Sequence, residues 1–245
     1  MVKLFFLTFG APYYIYSDAL KRIIKQAQEF NIFDEIIEEN EMTLIDRHVE
    51  FWKKHGNFIK NNTRGFGYWL WKPYLINNTL KKMNKDDILL YCDVGCELNK
   101  NGIENFQKLI EIVKIKKIIG FIAGSCDINF TKKDLSSQYD LNLQLLLLNH
   151  LQAGCLLIQK CKFIDMIMDE WYKTCEIYHN IDDSPSKITN FKNFIEHRHD
   201  QSVLNMILKK YKIINNFDGN NLSSCRNIMT SPILYIRNKT GKSVL

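Results

Sequence analysis

The stretch Asp86-Asp87-Ile88-Leu89-Leu90-Tyr91-Cys92-Asp93-Val94-Gly95-Cys96-Glu97 decides how this chain is read. Ile88 to Cys92 is a compact apolar run, with an acidic pair before it and an Asp-Val-Gly turn signal behind it. A run this short and this apolar reads as a strand buried on both faces, as in a parallel sheet. Its last residue, Asp93, then lies at the carboxyl edge of the sheet, where open α/β folds bind their ligands. A carboxylate there can hold Mg²⁺ or Mn²⁺, which bridges diphosphate oxygens and offsets charge on a leaving group. The structural alternative is an aspartate that opens a turn.

Outward from this strand the pattern repeats. Val2 to Phe9, Phe33 to Ile37, Ile118 to Ile122 and Ala153 to Ile158 read as strands. Helical spacing predicts helices over Ser17 to Phe30, capped by Ser17, and Thr43 to Phe58, capped by Thr43. Pro73 suits the first turn of a helix running to about Met83. Further helices are expected at Asn101 to Val113, Phe163 to Tyr178 and His199 to Tyr211. Leu141 to Leu148 fits helix or strand, and short strands are expected at Ile213 to Ile214 and Ile233 to Ile236. Strands alternating with helices argue for a mostly parallel sheet covered on both faces. The expected fold is a single Rossmann-like α/β/α sandwich.

Composition sets the outer limits. The chain has 245 residues, 46% hydrophobic and 24% charged, enough for a sizeable core without disulfide staples. Seven cysteines include no CxxC pair. Cys92, Cys126, Cys155 and Cys161 lie in or beside apolar runs and read as buried, reduced thiols. Leu4 to Phe9 is too short for the core of an export signal, and no run approaches the length of a membrane span. A cytoplasmic protein without a transmembrane segment is expected. The net charge of +6 suits phosphate-bearing partners, but the basic residues are spread along the chain instead of forming an arm for nucleic acid.

Several segments carry side chains suited to a site. Arg64 and Lys72 flank Gly65-Phe66-Gly67-Tyr68-Trp69-Leu70-Trp71, and cations beside a glycine turn can close on diphosphate oxygens. In Gln152-Ala153-Gly154 a polar residue and a glycine precede a strand, and Gly154 permits close approach of a ligand. Asp200-Gln201-Ser202-Val203-Leu204-Asn205 opens a helix with an acid and an amide. Tyr13, Tyr14 and Tyr16 could stack on a base or sugar. The carboxyl-terminal segment carries Arg226, Arg237, Lys239 and Lys242, and reads either as a frayed terminus or as a cover for bound diphosphate, with Arg237 its best-placed cation. Gly241-Lys242-Ser243 lacks the first glycine of a P-loop, and His197 and His199 have no partners at zinc spacing.

Taken in order, Asp93-Val94-Gly95, Gln152-Ala153-Gly154 and Asp200-Gln201-Ser202-Val203-Leu204-Asn205 resemble the GT-A glycosyltransferases, in particular retaining enzymes related to family 8 galactosyltransferases and glycogenin. Arg64 to Pro73 and His197 to Ser202 look more closely like small glycosyltransferases of surface-polysaccharide loci and large DNA viruses. The resemblance spans roughly residues 2 to 212. It implies a GT-A domain over 1–245, with a nucleotide-sugar-binding half to about residue 100 and an acceptor-binding half beyond. It implies transfer, with retention, from a nucleotide-diphosphate sugar, UDP being the expected nucleotide, to a glycan or glycoconjugate acceptor in polysaccharide biosynthesis.

By the same resemblance Thr8 and Phe9 would hold the nucleoside. Arg64, Lys72, Gln152 and Arg237 would contact the donor, and Asp200 and Gln201 would act at the anomeric carbon. Mn²⁺ or Mg²⁺ would sit on Asp93, Glu97 and His199. The second acid of the family's Asp-x-Asp is Gly95 here, and the family's carboxyl-terminal histidine is lacking. If the chain stays extended, Glu97 shares a face with Gly95 and supplies the missing carboxylate. Two other readings stand beside this one: a non-catalytic nucleotide-sugar or glycan-binding module, and a nucleotidyltransferase.

Overall fold

The computed structural model describes residues 2–213 and 230–245, so Ile214 and Arg226 lie outside the described residues. In chain order the elements are β1 (Leu4–Gly10), α1 (Tyr13–Phe30), β2 (Glu35–Asn40), α2 (Glu41–Asp46), α3 (Val49–Asn61), α4 (Trp71–Lys82), β3 (Ile88–Asp93) and β4 (Cys96–Leu98). There follow α5 (Ile103–Lys116), β5 (Ile118–Cys126), β6 (Asn149–Gln159), α6 (Lys162–Cys175), α7 (His199–Lys210) and β7 (Ile233–Tyr235). The central sheet has the order β2-β1-β3-β6-β5. β1 pairs in parallel with β2 and β3, while β6 runs antiparallel to both β3 and β5. Four strands therefore point one way and β6 the other, a mixed α/β sheet that is mostly parallel. A small antiparallel pair, β4 with β7, stands beside it.

β1 is buried at every position and β3 at all but its last, because helices cover both faces. Successive side chains point to opposite faces. Leu4, Phe6, Ile88, Leu90 and Cys92 pack with Leu20, Ile23 and Ala27 of α1 and Phe106 and Val113 of α5. Phe5, Leu7, Phe9, Leu89 and Tyr91 pack with residues of α4, α6 and α7, including Leu75, Trp171 and Leu204. The run Ile88–Cys92 is thus apolar throughout because it has no solvent face.

The structure departs from expectation at identifiable points. α1 begins at Tyr13, with Pro12 as its cap residue, so Ser17 lies inside the helix. The expected helix over Thr43 to Phe58 is two helices, and Asn40 is the cap: its Oδ1 accepts from the Met42 and Thr43 amides, while Thr43 Oγ1 accepts from the Asn40 amide at 2.9 Å. Thr43 belongs to the capping box from its far side. Leu141 to Leu148 contains only the helical turn Leu143–Leu146. Cys92 and Cys155 are buried as expected, whereas Cys126 and Cys161 are half-buried and Cys96 and Cys175 are buried too. No helix among the described residues is long and apolar enough to cross a membrane.

The end of the chain is not frayed. β7 pairs with β4, and the Asn238 amide donates to the Gly95 carbonyl at 2.9 Å. Arg22 of α1 donates to the carbonyls of Val94, Cys96 and Asn238 at 2.7–3.2 Å, and to that of Thr240. Residues 230–245 are thereby laid across the carboxyl edge of β3.

Candidate active site

A cavity of about 610 Å³ opens where β1 and β3 end. Phe9 and Asp93 are the last or next-to-last residues of those strands, and both line it. Lys72 from α4, Asp200 and Gln201 from α7, and Arg237 and Lys239 from the carboxyl-terminal segment complete the polar wall. Eight of the residues picked from sequence, Phe9, Arg64, Lys72, Asp93, His199, Asp200, Gln201 and Arg237, are therefore brought together although they span more than 220 positions of chain.

Lys72 is the centre of the arrangement. It is 3% exposed, and its Nζ lies 3.2 Å from Asp93 Oδ1 and 3.6 Å from Asp200 Oδ2. The rings of Trp71 and Tyr91 flank the ammonium, each 5.7 Å from Nζ. Burial opposes its charge, but the Asp200 and Asp93 carboxylates outweigh burial and hold its pKa above the ordinary lysine value. Asp200 is held the other way. Burial pushes it up to about 7, Asp93 adds to the rise, and Lys72 pulls against it. Asp200 Oδ2 has no hydrogen-bond partner, so the carboxyl group keeps capacity to bind.

Asp93 is the more open of the two acids, its side chain 31% exposed against 4% for Asp200. Its Oδ1 accepts from the Tyr91 hydroxyl at 2.5 Å besides meeting Lys72. Its Oδ2 packs on Gly154, where a Cβ would come within 2.6 Å of that oxygen and 2.5 Å of the Tyr235 hydroxyl. A side chain at 154 would collide with both groups, and Gly154 is itself part of the cavity wall.

The expected metal ligands do not assemble. Glu97 is displaced because the chain turns at Val94-Gly95 instead of staying extended, which sends its side chain away from the cavity. There it is fully buried, accepting from Gln26 Nε2 at 3.1 Å, Asn238 Nδ2 at 2.6 Å, the Val244 amide at 3.2 Å and the Ser243 hydroxyl. Burial would raise the Glu97 pKa, but these donors outweigh it and hold the pKa low. Glu97 is a clamp for the carboxyl-terminal segment, not a ligand. His199 does line the cavity, and burial pulls its pKa down to about 4, so the ring stays neutral. Its Nδ1 donates to the Ile181 carbonyl at 2.7 Å, leaving buried Nε2 as an unpartnered acceptor. Among the described residues, however, no group of three His, Cys, Asp or Glu side chains is close enough to hold an ion.

Three further expectations need correction. Thr8 is buried within the sheet and Gln152 faces elsewhere, so neither lines the cavity. Arg64 reaches the rim, but its guanidinium is engaged with Asp183 at 2.9 Å and Glu196 at 3.1 Å. Gln201 is partly committed as well. Its Oε1 accepts from the Ala153 amide at 3.0 Å, and Asn205, one helical turn on, accepts from the Leu151 amide at 2.7 Å and donates to the Leu151 carbonyl at 2.8 Å. β3 pairs with β6 only as far as Cys155, so these two amides replace the missing strand partner for Leu151 and Ala153.

Sequence reasoning did not single out Trp69, Arg198 or Tyr235, which also line the cavity, as does Lys239 of the basic carboxyl-terminal segment. One signal was available. Gly65-Phe66-Gly67-Tyr68-Trp69 holds five successive left-handed φ angles, between 52° and 81°, and His199, stacked on Tyr68, has φ 54°. The two glycines admit this turn, and strained backbone of this kind collects at functional sites.

No family model matches the sequence, and no curated protein matches it. Among solved structures, the chain is similar to mouse xyloside xylosyltransferase 1 in its apo form, with TM-score 0.43 and 12% identity over 86% of this chain and 82% of that one. It is also similar to 4-diphosphocytidyl-2C-methyl-D-erythritol synthase from Anaerococcus prevotii DSM 20548, with TM-score 0.37 and 13% identity over 84% of this chain and 96% of that one. At these values neither likeness bears on the activity.

Proposed function

We propose that this chain is a glycosyltransferase that takes a nucleotide-diphosphate sugar and passes the sugar to a glycan acceptor. The observation that carries the reading is the charge of the cavity wall. Arg64, Lys72, Arg198, Arg237 and Lys239 stand against Asp93, Glu196 and Asp200, five cations to three acids. Among the described residues neither Arg237 nor Lys239 pairs with a carboxylate. A wall with uncommitted cations beside buried acids suits a ligand with an anionic end and an end that becomes positive as it reacts.

A glycosyl diphosphate is such a ligand. As its anomeric bond breaks, negative charge grows on the diphosphate and positive charge on the sugar. Arg237 and Lys239 would offset the first, and the Asp200 carboxylate the second. The resemblance adds UDP and retention of configuration to this proposal. A nucleotidyltransferase should show a glycine-rich phosphate loop after the first strand, and here β1 passes through Ala11-Pro12 directly into α1. The test is a thermal-shift screen of UDP-, GDP- and CDP-sugars, followed by measurement of nucleotide release with and without oligosaccharide acceptors. Failure of every nucleotide sugar to shift the melting temperature and to release nucleotide sinks the proposal.

A further inference from the structure

We infer that this site handles a diphosphate without a divalent ion: Lys72 stands as the fixed cation between Asp93 and Asp200, and Arg237 and Lys239 supply the phosphate-facing charge. The inference deepens the glycosyltransferase reading and rests on it for the identity of the ligand. Two independent pieces of geometry lead to it.

The first is the occupancy of Asp93. Lys72 and Tyr91 take its Oδ1, which leaves one oxygen for an ion, and among the described residues no group of three His, Cys, Asp or Glu side chains gathers to complete a shell. A Mg²⁺ or Mn²⁺ ion needs carboxylate oxygens at roughly 2 Å with room for a near-octahedral shell of water and phosphate. An ion bound there would also sit beside the buried Lys72 ammonium, which touches both acids that would have to hold it. Like charges this close repel one another. Lys72 is already the counter-charge that such an ion would provide.

The second is Gly95. This glycine stands where a second acid would extend the Asp93 pair, and the reason it is glycine is visible. A Cβ at this position would lie 2.9 Å from Arg237 Cα and 3.2 Å from its carbonyl carbon. The carboxyl-terminal segment is laid directly on Gly95, held by the Asn238 amide on the Gly95 carbonyl at 2.9 Å. A side chain at 95 and this path of the chain exclude one another. The exchange removes a potential metal-binding carboxylate and places Arg237, with φ 53°, and Lys239 on the cavity wall in its stead. One structural choice thus trades metal for protein cations.

The test separates ion binding from nucleotide binding. Titration of the wild-type protein with Mn²⁺, followed by the electron paramagnetic resonance signal of the free ion, should show no stoichiometric uptake, with or without UDP. Calorimetry with UDP should give the same affinity in EDTA and in Mn²⁺ to within about two-fold. The double variant Arg237→Ala/Lys239→Ala, altered only at exposed side chains, should bind UDP at least about ten-fold more weakly, the size expected for charged hydrogen bonds. Lys72→Met should acquire Mn²⁺ binding, because two acids then lack their cation.

Stoichiometric Mn²⁺ uptake by the wild type, or loss of UDP binding in EDTA, overturns the inference while leaving the glycosyltransferase reading intact. If UDP, GDP and CDP all fail to bind in either condition, the reading falls, and the diphosphate part of the inference with it. The wild-type titration is decisive even if Lys72→Met does not fold.

Discussion

Lys72 and Lys209 are both buried against carboxylates, at opposite ends of α7, and their surroundings differ. Lys72 meets Asp93 and Asp200 where the cavity opens. Lys209 meets Asp127 beyond the end of β5 and donates to the Leu148 carbonyl at 3.0 Å, while the other oxygen of Asp127 faces His150 Nδ1. Lys209, Asp127 and His150 are wholly buried and none lines the cavity. This closed cluster pairs both oxygens of Asp127, leaves His150 Nε2 without a partner, does not open on the cavity and fixes one end of a helix. The open cluster fixes the other end, and Asp200 Oδ2, met by Lys72 at 3.6 Å but by no hydrogen bond, belongs to a residue of the cavity wall. Burial of charge therefore does not mark a site; burial of charge on the wall of a cavity does.

The comparison is broken most directly at Lys209. Lys209→Met leaves Asp127 buried without its cation and should lower stability by about 3–5 kcal/mol, read from the urea midpoint. The affinity of the folded fraction for UDP should not change. A variant of ordinary stability that binds UDP poorly would show the two clusters to be one functional unit.

Asp200 comes next. Asp200→Asn should lower turnover by about 10² or more with donor affinity within a few-fold, the pattern of a group acting in the transition state. Turnover of the wild type should rise with pH through about 7, as Asp200 gives up its proton, and that step should vanish in the variant. Stability should respond in the opposite sense. The folded state holds this proton more tightly than the unfolded chain, so stability falls as pH rises from about 4 to about 7 and the loss is complete above that. A urea series across this range should show the decline in the wild type and a flatter profile in Asp200→Asn.

Much of this was legible in the sequence, for reasons that are local. The run Ile88–Cys92 has no polar residue because helices cover both faces of its strand, and Asp93 reads as a site residue because the run stops there. Lys72 was visible as a cation, but its partners lie 21 and 128 positions away, and no spacing rule joins them. Glu97 misled because alternation was extended through Val94-Gly95, where the chain turns. The reversed direction of β6 was hidden because a run such as Cys155–Ile158, buried on both faces, looks the same in either direction. The firm seat of the carboxyl-terminal segment depends on Arg22 and Glu97, and neither announces a bond to residues so far along the chain.

Gln201 and Asn205 sharpen the comparison on the same helix with a smaller effect. Asn205→Ala removes the acceptor of the Leu151 amide and should cost about 1–3 kcal/mol of stability, with turnover per folded molecule unchanged. Gln201→Ala should cost a similar amount through Ala153 and reduce turnover as well, because Gln201 alone of the two lines the cavity. Equal loss of turnover in both variants would mean that strand position, and not the amide itself, governs the chemistry.

The smallest effect is expected at Glu97, which lets the carboxyl-terminal segment be loosened without touching the cavity. Its carboxylate accepts from the Asn238 and Gln26 side-chain amides, the Ser243 hydroxyl and the Val244 amide, and Arg22 Nε approaches to 4.0 Å. Glu97→Gln keeps the shape but turns an NH₂ group toward a shell made of donors. One or two of these bonds must be lost, and the segment that they hold should detach part of the time. Because the clamp is made entirely by the chain's own residues, wild-type residues 230–245 should resist limited proteolysis before any nucleotide is added. The Glu97→Gln protein should be cut there. Arg237 and Lys239 would then be in place for only part of the population, and UDP affinity should fall by about three- to ten-fold, since a fractionally populated competent state weakens binding by that fraction. Addition of UDP should restore protection in the variant, because ligand and clamp favour the same position of the segment. Ready cleavage of the wild type, or cleavage of Glu97→Gln that UDP does not slow, would mean that the segment is not held over the cavity by Glu97 and that its cations reach a ligand by another route.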